Sequence, residues 1–306
     1  MINSIPKPLR DLFSEWITKQ KNDEDYKCEE TGIAKDSFTP DGMVNEKTWN
    51  QLDTENKRKV LYLLREANGN TSTLNEDGRS VDDGKFWFQQ CVANGNIGKI
   101  IFKRIEQMQE IIQDEKSHNG EILKQVAYMN INKRGGGATV DWKILNEYAN
   151  KYKEQIMEEI YILKPDIIVC CGTYWTFVDN ICGLYKENGK AKWETHDKRD
   201  FVLEAPMETE NGDKFECLIF NMYHPSARMK TENYIERFKQ LWEEYKCNEN
   251  VGESTILRQK DENIGEDTPI LKKEYIIKVI EELNENSDQY FDLCELISSI
   301  PQDKKL

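Results

Sequence analysis

The stretch Asn221-Met-Tyr-His-Pro-Ser-Ala-Arg-Met-Lys230 carries the clearest structural signal in this chain of 306 residues. It overlaps an apolar run, Cys217-Leu-Ile-Phe-Asn-Met-Tyr223, that is typical of a buried strand. A proline has no N–H to donate to a sheet, so the strand is predicted to end before Pro225. His224, one of only three histidines, then lies at the carboxyl end of that strand. Open α/β sheets bind their ligands at this end.

Three other apolar runs also end in polar, chemically useful residues. One reaches Leu64 and continues as Arg65-Glu66-Ala67-Asn68-Gly69. The second reaches Met129 and continues as Asn130-Ile131-Asn132-Lys133-Arg134, and the third, 166–171, continues as Gly172-Thr173. The carboxyl ends of parallel strands meet at one edge of a sheet, so these residues are predicted to form one site.

Strands that alternate with amphipathic helices predict an α/β fold, a three-layer α/β/α arrangement around a mainly parallel four-stranded sheet. The predicted strands are 59–64, 125–131, 167–171 and 217–223, and residues 201–203 are expected to pair with the last strand around a turn at 211–213. Helices are predicted at 8–20, 142–163 and 231–245. Residues 1–247 form the predicted main domain, 248–270 a linker and 271–306 a small acidic helical appendage.

The net charge of −14 argues against loose, sequence-independent binding to nucleic acid but leaves room for a local basic cleft. Residues 248–306 hold 14 acidic and 7 basic side chains, which suits a solvated helical face or a surface for a protein partner. The eight cysteines include no C-x-x-C pair, so neither disulfides nor a zinc site is predicted. No signal peptide or membrane-spanning run is recognised, and a cytoplasmic protein is expected.

Taken in order, the four motifs resemble those of the uracil-DNA glycosylase superfamily, over about residues 58 to 245. The closest branch carries Gly-Glu-Ala-Pro-Gly first, represented here by Arg65-Glu66-Ala67-Asn68-Gly69. Its Asn-Val-Val-Lys-Cys-Arg motif corresponds to residues 130–134, and its Leu-x-Pro-x-x-Ile-Val-x-x-Gly signature to residues 163–172. The final motif, Tyr223-His-Pro-Ser226, is intact.

The chain departs from that branch in three places. The four cysteine ligands of its iron–sulfur cluster have no counterpart, so no metal and no other cofactor is predicted. Its Arg-Pro-Pro becomes Arg134-Gly-Gly-Gly137, and a long polar connection occupies residues 69–84. The exchange of prolines for glycines predicts an altered base pocket.

The residue types suit cleavage of an N-glycosidic bond, which leaves negative charge on the base and positive charge on the sugar. His224 is predicted to donate to the base oxygen where the anion develops. Glu66 is predicted to activate water and stabilise the cationic sugar. The backbone amides of Asn68 and Gly69 are expected to approach the base or a phosphate.

Base recognition is assigned mainly to Asn130, whose amide both donates and accepts hydrogen bonds. Only one of Asn130 and Asn132 is expected in the pocket, and the motif favours Asn130. Phe86, or alternatively Phe88, resembles the family's stacking aromatic, although core packing is the more common role for such residues. Arg65 is predicted to bond a polar substituent of the base. The predicted DNA contacts are Lys133, Arg134, Ser226, Arg228 and Lys230.

The sequence therefore predicts a monofunctional DNA glycosylase that flips out a non-standard pyrimidine, either uracil or a hypermodified cytosine of phage DNA. No catalytic lysine is evident at the rim, so a lyase step is not expected. A role in defence against phage is one form of this hypothesis. The alternative is a non-catalytic α/β protein that binds nucleotides or nucleic-acid ends.

Overall fold

A computed structural model of the chain describes residues 6–33, 35, 37–68, 87–136, 139–182, 202–208 and 214–260. Six strands lie in this part of the chain, namely β1 (Gly42–Met43), β2 (Val60–Asn68), β3 (Val126–Gly136), β4 (Ile167–Cys171), β5 (Val202–Glu208) and β6 (Lys214–Met222). They form one sheet in the order β1-β3-β2-β4-β6-β5. The inner four strands are parallel, and the two edge strands run antiparallel to their neighbours.

Eight α-helices surround the sheet within the described ranges. They are α1 (Lys7–Lys21), α2 (Cys28–Thr31), α3 (Glu46–Gln51), α4 (Trp87–Ala93), α5 (Ile100–Gln113), α6 (Trp142–Lys151), α7 (Lys153–Leu163) and α8 (Thr231–Lys260). A 3₁₀ turn at Glu121–Gln125 leads into β3, and a π-helix at Thr176–Ile181 follows β4.

The sheet is apolar on both faces, as the continuous apolar runs require of parallel strands. Leu61 and Leu63 of β2 face a core built with α1, α6 and α7, whereas Val60 and Tyr62 face a second core built with α5 and α8. Successive strand residues point to opposite sides, so each strand contributes to both cores. The α/β fold predicted from the sequence is thereby confirmed.

Two features of the fold differ from the sequence prediction. The sheet has six strands rather than four, because a two-residue strand and the hairpin partner β5 extend its edges. The helix predicted at 142–163 is two helices that meet at Tyr152, where φ is −114° and ψ is 20°. Tyr152 is fully buried and its hydroxyl donates to Asp23, so packing overrides helical continuity there.

The chain divides into two compact units, residues 1–247 and 248–306. Helix α8 continues to Lys260, into the segment predicted as a linker. The predicted appendage at 271–306 and the predicted turn at 211–213 lie outside the described residues. Among the described helices, none is both long and apolar enough to cross a membrane.

Candidate active site

Glu66 lies near the carboxyl end of β2, directly opposite Asn132 of β3. The next residue of β2, Ala67, pairs with Gly135, so Lys133 and Arg134 form a bulge between the two pairings. Bulges re-aim the side chains around them and are common beside active sites. The bulge separates Glu66 and Asn132, which pair across the two strands, from Lys133 and Arg134, whose side chains are buried against other partners.

The Glu66 side chain is held in a fixed position by its neighbours on β3. A Cβ atom at Gly136 would lie 2.3 Å from Cδ of Glu66, so only glycine leaves room for this carboxylate. Nδ2 of Asn132 donates to Oε2 of Glu66 at 3.4 Å, while its Oδ1 accepts the backbone N–H of Arg134 at 3.0 Å. Burial raises the pKa of Glu66, and the Asn132 hydrogen bond and the charge of Arg65 partly oppose that rise.

His224 follows β6 and has a defined hydrogen-bonding state. Its Nδ1 accepts the backbone N–H of Ser226 at 3.2 Å and lies 2.7 Å from the hydroxyl oxygen of the same residue. Burial, together with the positive charge of Arg65, lowers the pKa of His224 to about 4. The ring is therefore neutral near pH 7 and carries its proton on Nε2. Among the described residues, nothing accepts a hydrogen bond from Nε2.

The ends of three neighbouring strands are joined at this edge. Gly172, after β4, has φ of +73°, and a Cβ atom there would lie 3.4 Å from the backbone nitrogen of His224. Its N–H donates to the carbonyl of Met222 at 2.7 Å. The Thr173 hydroxyl donates to the carbonyl of Leu63 at 2.8 Å. These contacts fix the His224 backbone relative to β2 and β4, and the charge of Arg65 acts on both His224 and Glu66.

Arg104 of α5 organises the loop that carries His224. It is fully buried, and its guanidinium donates to the carbonyls of Pro225 at 2.9 Å, Ala227 at 3.0 Å and Met229. The guanidinium carbon also lies 4.6 Å from the ring centroid of Tyr234. Sequence reasoning missed this residue. The available signal was an arginine on the apolar stripe that Ile101, Ile105 and Met108 form along α5.

The structure corrects the assignment of Lys133 and Arg134 to DNA contacts. Lys133 is completely buried, with Nζ paired to Asp41 and 2.7 Å from a carboxylate oxygen of Glu159. Arg134 is 4% exposed, donates to Asp23 at 3.2 Å and lies over the ring of Tyr26. Both charges are held by structural partners and do not face the solvent.

Asn130 is also placed differently from the prediction. It is buried, its backbone N–H donates to Asp41 at 2.6 Å, and its Nδ2 lies 3.4 Å from the same carboxylate oxygen. Both the backbone N–H and the side-chain amide of Asn130 are therefore directed to Asp41 and not to the rim. Asn132, two residues along on the same face of the strand and equally buried, is the amide that contacts Glu66 instead. The sequence analysis weighed Asn132 but preferred Asn130, and it missed Gly136.

The remaining predicted residues fall into three groups. Ser226, Arg228 and Lys230 are exposed on the loop after β6, beside His224. Phe88, the alternative stacking residue, is instead fully buried against Phe102 and Tyr128. Phe86, Gly69 and the Asn68 side chain lie outside the described residues.

The chain matches no protein-family model and no characterised protein. Within the described ranges no group of three or more His, Cys, Asp or Glu side chains is arranged to hold a metal ion. The side chains that define the candidate site are Glu66, Asn132, Arg65 and His224.

Proposed function

We propose that the protein is a monofunctional DNA glycosylase that removes a non-standard pyrimidine base. The observation that carries this proposal is that a neutral histidine donor and a half-buried carboxylate lie at the same rim of the sheet. His224 offers Nε2–H, and Glu66 has a pKa raised by burial. The charge of Arg65 influences both groups, so they belong to one electrostatic unit.

The departing base is stabilised by His224. When the N-glycosidic bond breaks, its electron pair goes to the base, and negative charge spreads onto the pyrimidine oxygen. A neutral imidazole stabilises this anion by donating a hydrogen bond through Nε2–H. Nδ1 is occupied by Ser226, which keeps the required tautomer in place.

The sugar and the attacking water are assigned to Glu66. Its carboxylate favours the cationic sugar and accepts a proton from water as the oxygen bonds to C1′. The products are a free base and an abasic site with a hydroxyl at C1′. A raised pKa makes Glu66 a stronger base than an exposed glutamate. Lys133, the lysine of the motif on β3, is paired with Asp41 and Glu159 and is not presented as the amine nucleophile that a lyase step needs.

With this function we also propose the fold of the uracil-DNA glycosylase superfamily, a three-layer α/β/α arrangement. Support comes from helices packed against both faces of the sheet and from motif residues at the carboxyl ends of β2, β3, β4 and β6.

We favour a substrate with a polar substituent at the pyrimidine 5-position. Glycines at 135–137 were expected to enlarge the pocket, but the space beside Gly136 is filled by Glu66. Arg65 is partly exposed at the rim and lies over the exposed ring of Trp142. Its guanidinium is suited to bonding a hydroxymethyl or sugar group.

The test compares single-turnover base release from oligonucleotides that carry uracil, hydroxymethylcytosine or glucosylated hydroxymethylcytosine. Release of a free base by the wild-type protein but not by Glu66→Gln supports the glycosylase. Preference for the substituted cytosines that disappears in Arg65→Met supports the finer substrate assignment. Nucleic-acid binding without release of any base would favour the non-catalytic alternative, and exclusive action on uracil would overturn the substituent argument.

A further inference from the structure

Three aromatic side chains are exposed along the edge of the sheet that carries His224 and Glu66. Trp142 and Trp175 are each 50% exposed and Tyr223 is 42% exposed. They follow the carboxyl ends of β3, β4 and β6, respectively. Only one other large apolar side chain in the described part of the chain, Ile100, has comparable exposure. The aromatic exposure is thus concentrated at the rim of the candidate site.

Basic side chains accompany these rings. The guanidinium carbon of Arg65 lies 5.9 Å from the ring centroid of Trp142, and that of Arg237 lies 4.7 Å from the centroid of Tyr223. Residues 223–230 include Arg228 and Lys230, both exposed, and no acidic residue. This stretch is locally basic in a chain whose net charge is −14. Its charge complements a polyanion.

We propose that this rim binds single-stranded DNA, with unpaired bases stacked on Trp142, Trp175 and Tyr223 and phosphates held by Arg228 and Lys230. Exposed aromatic rings beside cations are suited to this ligand, because every base offers a flat face and each nucleotide carries one negative charge. In a duplex the faces of the bases are covered by their neighbours. The inference rests on the proposed function only for the choice of DNA as the nucleic acid.

The experiment measures fluorescence anisotropy of a labelled, unmodified oligonucleotide of about twelve nucleotides, single-stranded or as the matching duplex. The single strand is expected to bind at least about tenfold more tightly than the duplex. Alanine at Trp142 or Trp175 is expected to weaken single-strand binding by about tenfold, a typical effect of losing one stacking contact. Phenylalanine at the same positions keeps a ring and should retain most of the affinity.

A charge control separates stacking from phosphate contacts. Lys230→Ala should reduce the slope of the logarithm of the binding constant against the logarithm of the salt concentration by about one, the value for one released counterion. Lys124→Ala should leave that slope unchanged, because Lys124 lies just before β3, at the opposite edge of the sheet. Equal affinity for single strand and duplex, or alanine variants that bind like the wild type, would overturn the proposal. The binding experiment uses unmodified DNA and does not depend on base release. A protein that binds the single strand but releases no base would refute only the proposed glycosylase activity. Base release from duplex by a protein without single-strand preference refutes only this inference.

Discussion

The carboxylate of Glu66 occupies the space in which Gly136 lacks a side chain. A Cβ atom on residue 136 would lie 2.3 Å from Cδ and 2.5 Å from Oε1 of Glu66, well inside van der Waals contact. The position of the Glu66 carboxylate therefore requires glycine at residue 136. The two residues act as one unit across β2 and β3.

Gly136→Ala is expected to reduce base release nearly as much as Glu66→Gln, because the added methyl group displaces the carboxylate from its position beside Asn132. The double variant should be little worse than either single variant, since both remove the same group. Single-turnover rates measure this coupling. Gly98→Ala is the matched control, because a Cβ atom there meets nothing within 4 Å. Additive losses in the double variant would show that Gly136 acts independently of Glu66.

His224→Ala should lower the single-turnover rate by about a hundredfold, equivalent to roughly 3 kcal/mol of transition-state stabilisation from one lost donor. DNA binding and the unfolding transition should change little, because the side chain lies at the rim. His118→Ala serves as the control, since His118 is exposed before the turn that leads into β3. A variant at position 224 with the wild-type rate would remove this histidine from the mechanism.

Arg65→Met should raise the pKa values of both His224 and Glu66, because its positive charge lowers both in the wild type. In the proposed mechanism base release requires ionised Glu66, so the rate should fall as pH decreases through the raised pKa of that group. In the variant this acid limb should move to higher pH. NMR should show the pKa of His224 rising from about 4 toward the ordinary value of 6.5.

The chain has only three histidines, which makes the NMR titration straightforward to assign with His224→Ala. An acid limb and a His224 titration that are both unchanged in Arg65→Met would contradict the electrostatic link between these residues.

Arg104→Lys should destabilise the fold by about 2 kcal/mol or more, because an ammonium cannot replace a guanidinium that donates to three carbonyls at once. Base release should fall about tenfold in kcat, because the loop that orients His224 loosens. Denaturant unfolding and steady-state kinetics provide the two measurements. Lys103→Ala, an exposed neighbour on α5, should change neither value.

The parallel strands, and the edge of the sheet at which polar residues follow them, were predictable because apolar runs and the residues after them are local signals. His224 and Glu66 could be found in this way, since each directly follows or ends such a run. Asn132 was also within reach, because side chains two residues apart share a face of a strand. The motif comparison pointed to Asn130, whose amide is held by Asp41.

Contacts between distant segments were beyond the sequence pattern. From its place after an apolar run, Lys133 is predicted to lie at the rim as a cation. In the structure the bulge directs its side chain toward Asp41 and Glu159, and nothing in the local sequence indicates that bulge. The partners of Arg104 lie more than 120 residues away in sequence. The break between α6 and α7 at Tyr152 likewise depends on Asp23, which lies 129 residues away in sequence. The helix propensities of residues 142–163 alone do not indicate a break.

The position of Asp41 has a further consequence for how the protein behaves at high concentration. Residues 39–44 run along the outer side of β3, where Thr39 and Val44 donate to its carbonyls at 2.7 and 2.9 Å and Asp41 accepts the N–H of Asn130. An uncovered strand edge recruits strands from other molecules and seeds aggregation. This short segment therefore covers the outer side of β3, with the Asp41 carboxylate in place of a full partner strand. It prevents neighbouring copies of the chain from adding a strand to the sheet there.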